Sequence, residues 1–145
     1  MADPAEYEGA LWDARRVREM AEAVAGRGDD LYTVAALSGG AIAGFTEVVV
    51  PCGCTGRAAQ YDTAVVPEHR GRRLGIWVKA AMLDWLAEAR PGVREIETEN
   101  AGDNAHMLAV NEELGFRAER ESMEYQAAVT ALPSAADHRP LTTGP

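Results

Sequence analysis

Cysteine is nearly absent from the 145-residue chain, with Cys52 and Cys54 alone in Pro51-Cys-Gly-Cys-Thr-Gly56. Two cysteines cannot build a disulfide framework, their spacing is too short for an unstrained bridge, and a four-ligand zinc site would need a second ligand pair. His69, His106 and His138 show no paired spacing that could supply one. No metal centre is therefore expected, and free thiols suit a reducing compartment. Basic charge is scarce as well: 14 Lys and Arg against 23 Asp and Glu leave a net charge of −9. That balance excludes a general phosphate-backbone binder, so nucleic acid is not an expected partner. No window reaches the roughly 20 apolar residues of a membrane span. The acidic opening MADPAEYEGALWDARR also lacks the apolar core of a secretory signal. A cytoplasmic protein that engages no membrane is expected.

What is present is an ordinary globular balance. Apolar residues make up 47% and charged residues 26%, which excludes collagen, coiled-coil and disordered compositions. One domain is expected over residues 1–128, with the small, polar, proline-containing stretch 129–145 as a mobile tail. Leu11, Val17, Met20, Ala21 and Val24 recur mostly at three- and four-residue spacings with charged residues between them, predicting an amphipathic helix over 9–27 ended by Gly26 and Gly28. The apolar runs Leu31–Leu37 and Ala41–Val50 flank Ser38-Gly39-Gly40 and predict a β-hairpin. A loop over 51–59 follows, then a strand Gln60–Val66 that Pro67 stops.

After a basic turn, Ile76, Lys79, Ala80, Leu83 and Leu86 keep helical spacing until Pro91-Gly92. Trp77 and Trp85, eight residues apart on that helix, and Trp12 read as core or interface anchors. Arg94–Asn100 alternates like a half-buried strand, with Ile96 and Thr98 opposite Glu95, Glu97 and Glu99. Asp103 or Gly102 can cap a helix that carries Met107, Leu108, Val110 and Leu114 and ends at Gly115; Phe116–Ala127 is expected to close with one or two strands. This order is an α/β fold, a three-layer sandwich around a central sheet of mixed antiparallel and parallel pairing. Hairpins join the early strands and helices the later ones.

The chemistry concentrates in residues 60–75. An apolar strand runs into Glu68-His-Arg-Gly-Arg-Arg-Leu-Gly75 and directly into a helix, within a stretch, 61–100, holding 6 basic against 7 acidic residues in an otherwise acidic chain. Such a junction turns unpaired backbone N–H groups and the positive end of a helix dipole toward one point. Arg70, Arg72 and Arg73 add charge around it, which suits a diphosphate; the alternative is a solvated basic turn. The turn has neither the Gly-Lys-Ser/Thr of a Walker loop nor the three-glycine spacing of a dinucleotide fingerprint.

Residues 63–75, Thr-Ala-Val-Val-Pro-Glu-His-Arg-Gly-Arg-Arg-Leu-Gly, resemble the acyl-CoA-binding segment of the GNAT superfamily of acetyl-CoA-dependent N-acetyltransferases, whose pattern is Arg/Gln-x-x-Gly-x-Gly/Ala. Arg70, Leu74 and Gly75 take their places, and Arg73 stands where the family usually has its middle glycine. Asn104 through Asn111-Glu-Glu-Leu-Gly-Phe116 is similar to the family helix that flanks the cofactor. The resemblance covers about residues 30–126 and is nearest the tandem, mycothiol-synthase-like branch, on Gln60-Tyr-Asp-Thr63, the His-Arg-Gly-x-Arg-Leu-Gly turn, Thr98-Glu-Asn100 and Met107-Leu-Ala-Val-Asn111. It implies the GNAT-like sandwich. The family fold usually opens with a strand and a helix before the helix placed at 9–27, and only eight residues precede it, so that N-terminal strand and helix are expected to be missing.

The resemblance further implies acetyl-CoA as cosubstrate, with direct acetyl transfer to a primary amine of a small molecule or peptide in one ternary complex. In family terms the backbone of Val65 and Val66 pairs with the pantetheine arm, and an N–H there stabilises the developing oxyanion. Arg70, Gly71, Arg72, Arg73, Leu74 and Gly75 would hold the diphosphate, and Asn100 and Asn104 the pantetheine amides. The family often protonates the leaving thiolate with a tyrosine four residues before the Gly-Phe glycine. That position is Asn111 here, which leaves Tyr125 or no dedicated acid.

A protonated amine cannot attack, and Glu47, Asp62, Glu97 and Glu99 lie near the strands as candidate bases. Glu47 and Asp62 stand out because Glu47 ends a mostly apolar strand and Asp62 interrupts Gln60-Tyr-Asp-Thr63, where a carboxylate costs desolvation unless it is used or paired. Each also reads as a solvated edge carboxylate. His106, alone on its helix, reads as structural or exposed. The acidic surface would steer a cationic amine toward the protein. Two other readings stand beside the enzyme: a catalytically silent acyl-CoA-binding domain acting as sensor or partner, and a fragment that borrows an edge strand from a second copy as a homodimer.

Overall fold

A computed structural model describes residues 14–53, 56–125 and 128. The predicted helical residues 9–13, Trp12, Cys54, positions 126–127 and the tail 129–145 lie outside the described residues. The elements are α1 (Ala14–Gly26), β1 (Asp30–Ser38), β2 (Ala41–Val50), β3 (Arg57–Val65), α2 (Leu74–Ala89), β4 (Glu95–Glu97) and α3 (Ala105–Glu113), with a short 3-10 turn at Pro67–His69. The sheet runs β1-β2-β3-β4. Its first two pairings are antiparallel and the last is parallel, because α2 carries the chain across between β3 and β4. The mixed α/β sheet expected from the sequence is the observed one.

The hairpin closes through Gly39 and Gly40, both at positive φ (58° and 82°), the two-residue geometry whose twist matches that of the flanking strands. β2, one of the two inner strands, is buried continuously from Thr46 to Val50, so both of its faces are covered. On one face Val48 and Val50 pack with Ala58 against Met82 and Leu86 of α2, with Tyr32, Val34, Val93 and Ile96 around them. α1 packs against β1 and buries Val24, and from its end Arg27 reaches the Tyr61 hydroxyl on β3 at 3.2 Å.

Four expectations change. The third strand begins at Arg57 rather than Gln60, because Arg57–Ala59 pair with β4 and are stabilised by it, although Ala58 and Ala59 carry no β-branched signal. The fourth strand shrinks from Arg94–Asn100 to Glu95–Glu97, since β3 offers it only those three partners. The charge-rich stretch 116–125 contains no strand. Trp77 and Trp85 are not core residues: they are 64% and 43% exposed, because the buried stripe of α2 is Val78, Lys79, Met82 and Leu86 and the tryptophans lie beside it. Trp85 stands edge-on to Tyr32, ring centroids 4.9 Å apart.

Candidate functional site

The sheet opens between β3 and β4. The two strands pair only at Arg57–Ala59 and Glu95–Glu97, after which β3 continues alone on that side from Gln60 to Val65. The polarity of this free edge follows from the ladder. Val66 donates its N–H to Ala43 O at 2.9 Å, so Val65, opposite Gly44, turns its own N–H and C=O away from β2 and into the opening. Of the two valines expected to meet a ligand, Val65 keeps a free N–H, whereas that of Val66 is used within the sheet.

At the end of β3 the turn delivers the chain to α2. Arg70 donates Nε to Val65 O at 3.1 Å and ties the turn to the strand. Gly71 has φ 74°. Arg73, at the middle-glycine position of the pattern this turn resembles, takes the left-handed conformation, at φ 61° and ψ 22°. An L-residue there costs about 1–2 kcal/mol. Its guanidinium forms an exposed ion pair with Glu113 at the end of α3. No side chain caps α2, and the first intrahelical bond is from Trp77 N–H to Arg73 O. The N–H groups of Leu74, Gly75 and Ile76 are therefore left pointing out of a basic turn, next to exposed Arg72.

On the same stretch of β3 a bulge breaks the register. Thr46 pairs with Thr63 and Val48 with Gln60, so Tyr61 and Asp62 together face Glu47. A bulge disrupts the ladder, and the Gln60 side chain repairs it, its Nε2 donating to Glu47 O at 2.7 Å and to Thr46 Oγ1 at 2.9 Å. The Thr46 and Thr63 hydroxyls share a bond of 2.8 Å. The Glu47 side chain is 6% exposed and accepts one bond, from Thr33 Oγ1 at 3.3 Å. Burial holds its carboxyl above the ordinary range, and the neighbouring Asp62 charge adds to this; burial also raises Asp62. The structure thus brings Glu47 and Asp62 together. Glu97 instead pairs with Arg57 and Arg120, and Glu99 is exposed.

Beyond β4, Asn104 caps α3, its Oδ1 accepting from Met107 N–H at 3.2 Å. The expected caps Asp103 and Gly102 do not serve, and Asn104 keeps its Nδ2 donors and one Oδ1 lone pair for other use. Asn100 is half-buried in the loop before it, and His106 is exposed. At the other end of α3, Gly115 adopts φ 90° and lets Phe116 N–H bond back to Asn111 O at 2.9 Å. This brings the Phe116 ring to 5.2 Å from Lys79 Nζ.

Lys79 is 2% exposed and donates to Asn111 Oδ1 at 2.5 Å. Sequence reasoning did not select this pair. The signal was a lysine at a core position of the α2 spacing, facing the asparagine already noted on α3. A cleft of about 690 Å³ between α2, β4 and residues 114–119, lined by Leu83, Leu86, Val93, Ile96 and Phe116 among others, includes no residue of the free β3 edge 60–65 or of the turn 70–75. Tyr125 is 87% exposed. Among the described residues no cluster of metal-binding side chains occurs, and no helix is long and apolar enough to cross a membrane.

The site is a mixed sheet split at its parallel pair and leading into an uncapped, basic helix start. The chain matches the family model described as Acetyltransferase (GNAT) family over residues 2–116; it belongs to the GNAT acetyltransferase family. It is 40% identical to a tandem GNAT protein from the clavulanic acid biosynthesis pathway, with a TM-score of 0.66 over 70% of this chain and 32% of that one. The chain thus spans about a third of that relative's length. AAC(6')-Iy in complex with the bisubstrate analog CoA-S-monomethyl-acetylneamine, 19% identical, shares the fold with a TM-score of 0.63 over 83% of each chain. So does a putative acetyl transferase from Pyrococcus furiosus, 21% identical, with a TM-score of 0.66 over 86% of this chain and 87% of that one. No curated protein sequence matches the chain.

Proposed function

We propose that the chain is an N-acetyltransferase that moves acetyl from acetyl-CoA to a primary amine of a small molecule or peptide by direct attack in a ternary complex. The observation that carries this reading is the free edge of β3 leading to the uncapped, arginine-flanked start of α2. These residues fit the cosubstrate group by group. Leu74, Gly75 and Ile76 N–H with Arg72 suit a diphosphate, and the guanidinium groups of Arg70 left after its bond to Val65 O add to them. The Val65 N–H suits a carbonyl oxygen, whether of a pantetheine amide or of the thioester whose oxyanion must be stabilised. Asn104 Nδ2 and Asn100 supply neutral donors and acceptors for the remaining amides.

Glu47 is the preferred base, with Asp62 beside it. A raised carboxyl is a better proton acceptor than an ordinary one, and Thr33 leaves the rest of the Glu47 acceptor capacity open. The similarity to AAC(6')-Iy, whose structure holds the bisubstrate analog CoA-S-monomethyl-acetylneamine, supports an amine acceptor. The test is release of CoA thiol from acetyl-CoA across a panel of amines, with the protein's own thiols, Cys52 and Cys54, subtracted. Release dependent on an amine, with a matching acetylated product, is expected. Binding of acetyl-CoA without release across a broad panel would favour the silent coenzyme-binding domain.

A further inference from the structure

Among the described residues four polar side chains are buried: Thr46, Glu47, Lys79 and Asn111. The first two have partners within the sheet, and the second two have only each other and an aromatic ring. An ammonium offers three donors and no acceptor, so its bond to Lys79 fixes the Asn111 amide with Oδ1 toward the lysine and Nδ2 turned elsewhere. That Nδ2 is buried with no partner. No carboxylate of α2, α3 or the sheet pairs with Lys79. The cluster therefore holds a cation and a free amide N–H but no anion. Buried donors are seldom left so, and an unmade bond of this kind is costly; what the cluster lacks is an acceptor, best a negatively charged one.

The reaction proposed above generates one. Lys79 lies five residues along α2 from Leu74, about 7.5 Å at the helical rise, and its side chain crosses to α3, which follows the strand that parts from β3. A coenzyme whose diphosphate sits at the start of α2 and whose arm follows the free edge of β3 runs between that edge and α3, over this part of α2. We infer that Lys79 and Asn111 receive the coenzyme sulfur, Asn111 Nδ2 donating a hydrogen bond to it and the Lys79 ammonium returning a proton to it as it leaves. The inference rests on the acyl-CoA reading. In the step, the amine nitrogen bonds to the thioester carbonyl carbon and the C–S bond breaks with its electron pair passing to sulfur. A proton moves from Lys79 Nζ to the sulfur, giving CoA thiol and a neutral lysine that is reprotonated from water; the amine's own proton passes to Glu47 or Asp62. Desolvation holds Lys79 down to about 8, close to an ordinary thiol at about 8.5, so donor and leaving group are matched.

The test compares CoA with desulfo-CoA by calorimetry in the unaltered chain, in Lys79→Met and in Asn111→Ala, and follows the ultraviolet thiolate absorbance of bound CoA against pH. The unaltered chain should prefer CoA by about tenfold or more, the scale of a charged hydrogen bond, and should lower the bound thiol's titration below that of free CoA. Lys79→Met should lose both effects while binding desulfo-CoA as before; Asn111→Ala should lose most of the preference. Should Lys79→Met fail to fold, Asn111→Ala carries both measurements. Equal binding of the two ligands by the unaltered chain, or a preference and titration that survive in both variants, would overturn the inference and leave the acyl-CoA reading standing. Failure of the unaltered chain to bind either ligand would bring down that reading and this inference together.

Discussion

Replacing Lys79 with methionine should change how the stability of this protein depends on pH, and the size of the change can be worked out. The ammonium is held at about 8 against an ordinary 10.5, so at 1.36 kcal/mol per pH unit the native state favours the neutral amine by about 3 kcal/mol. The native value lies below the unfolded one, so between about pH 8 and pH 10.5 the unfolded chain binds more protons than the native one, and stability from this group rises with pH. Below pH 8 both states are charged and the cost is present in full. Methionine has nearly the same length and no charge. The stability difference between Lys79→Met and the unaltered chain, measured by urea unfolding at pH 7 and again near pH 10.5, should therefore move by about 3 kcal/mol in favour of the unaltered chain. Other groups that titrate in this range cancel in the difference. A difference that stays within about 0.5 kcal/mol across that interval would refute the argument, and would mean that water or an unseen counter-charge solvates the ammonium.

Other outcomes follow from the same structure. Glu47→Gln should lower kcat by about 10²–10⁴-fold if Glu47 removes the amine proton. Because burial raises Glu47 above its ordinary 4.5, its contribution to stability falls as pH climbs past that value, so Gln should gain relative to Glu between pH 4 and neutrality, read by thermal melts. Met82→Ala, at a residue 1% exposed in the core against Val48 and Val50, should cost about 2–5 kcal/mol in urea unfolding. Arg73→Gly removes a left-handed arginine worth about 1–2 kcal/mol of strain, against an exposed ion pair worth about 0–1 and the added freedom of an unfolded glycine worth about 0.5–1. Its stability in urea unfolding should therefore change by between about −1 and +1.5 kcal/mol.

Much of the fold was legible because its signals are local. The Ser38-Gly39-Gly40 turn between two apolar runs dictates a hairpin, and the glycine- and arginine-bearing turn at 68–75 dictates a strand-to-helix junction. What failed depends on partners distant in sequence. Arg57 and Ala58 become strand because Glu95 and Ile96 arrive beside them, with Ala59 held by both Val49 and Glu97, and Arg94–Asn100 does not stay strand beyond those three partners. Asn104 rather than Asp103 caps α3 because the chain enters one residue later, a difference below what spacing resolves. Within the site, the arginine turn and the two strand carboxylates were readable as chemistry out of place. The Gln60 repair of the bulge and the Lys79–Asn111 bond were not, since each joins groups that meet only through the register of β2 on β3 or the packing of α3 on α2. An arginine in the glycine position did not remove the left-handed turn; the chain adopts that conformation regardless.

The central claim, that the opening beside β3 and the arginine turn bind acyl-CoA, is tested most directly by calorimetric titration of the protein with acetyl-CoA beside an Arg70→Ala, Arg72→Ala double variant of confirmed fold. Saturable binding at one site is expected, weakened in the double variant by about tenfold or more and increasingly screened by salt. No binding to a folded, monodisperse chain, or equal binding by both proteins, would contradict it.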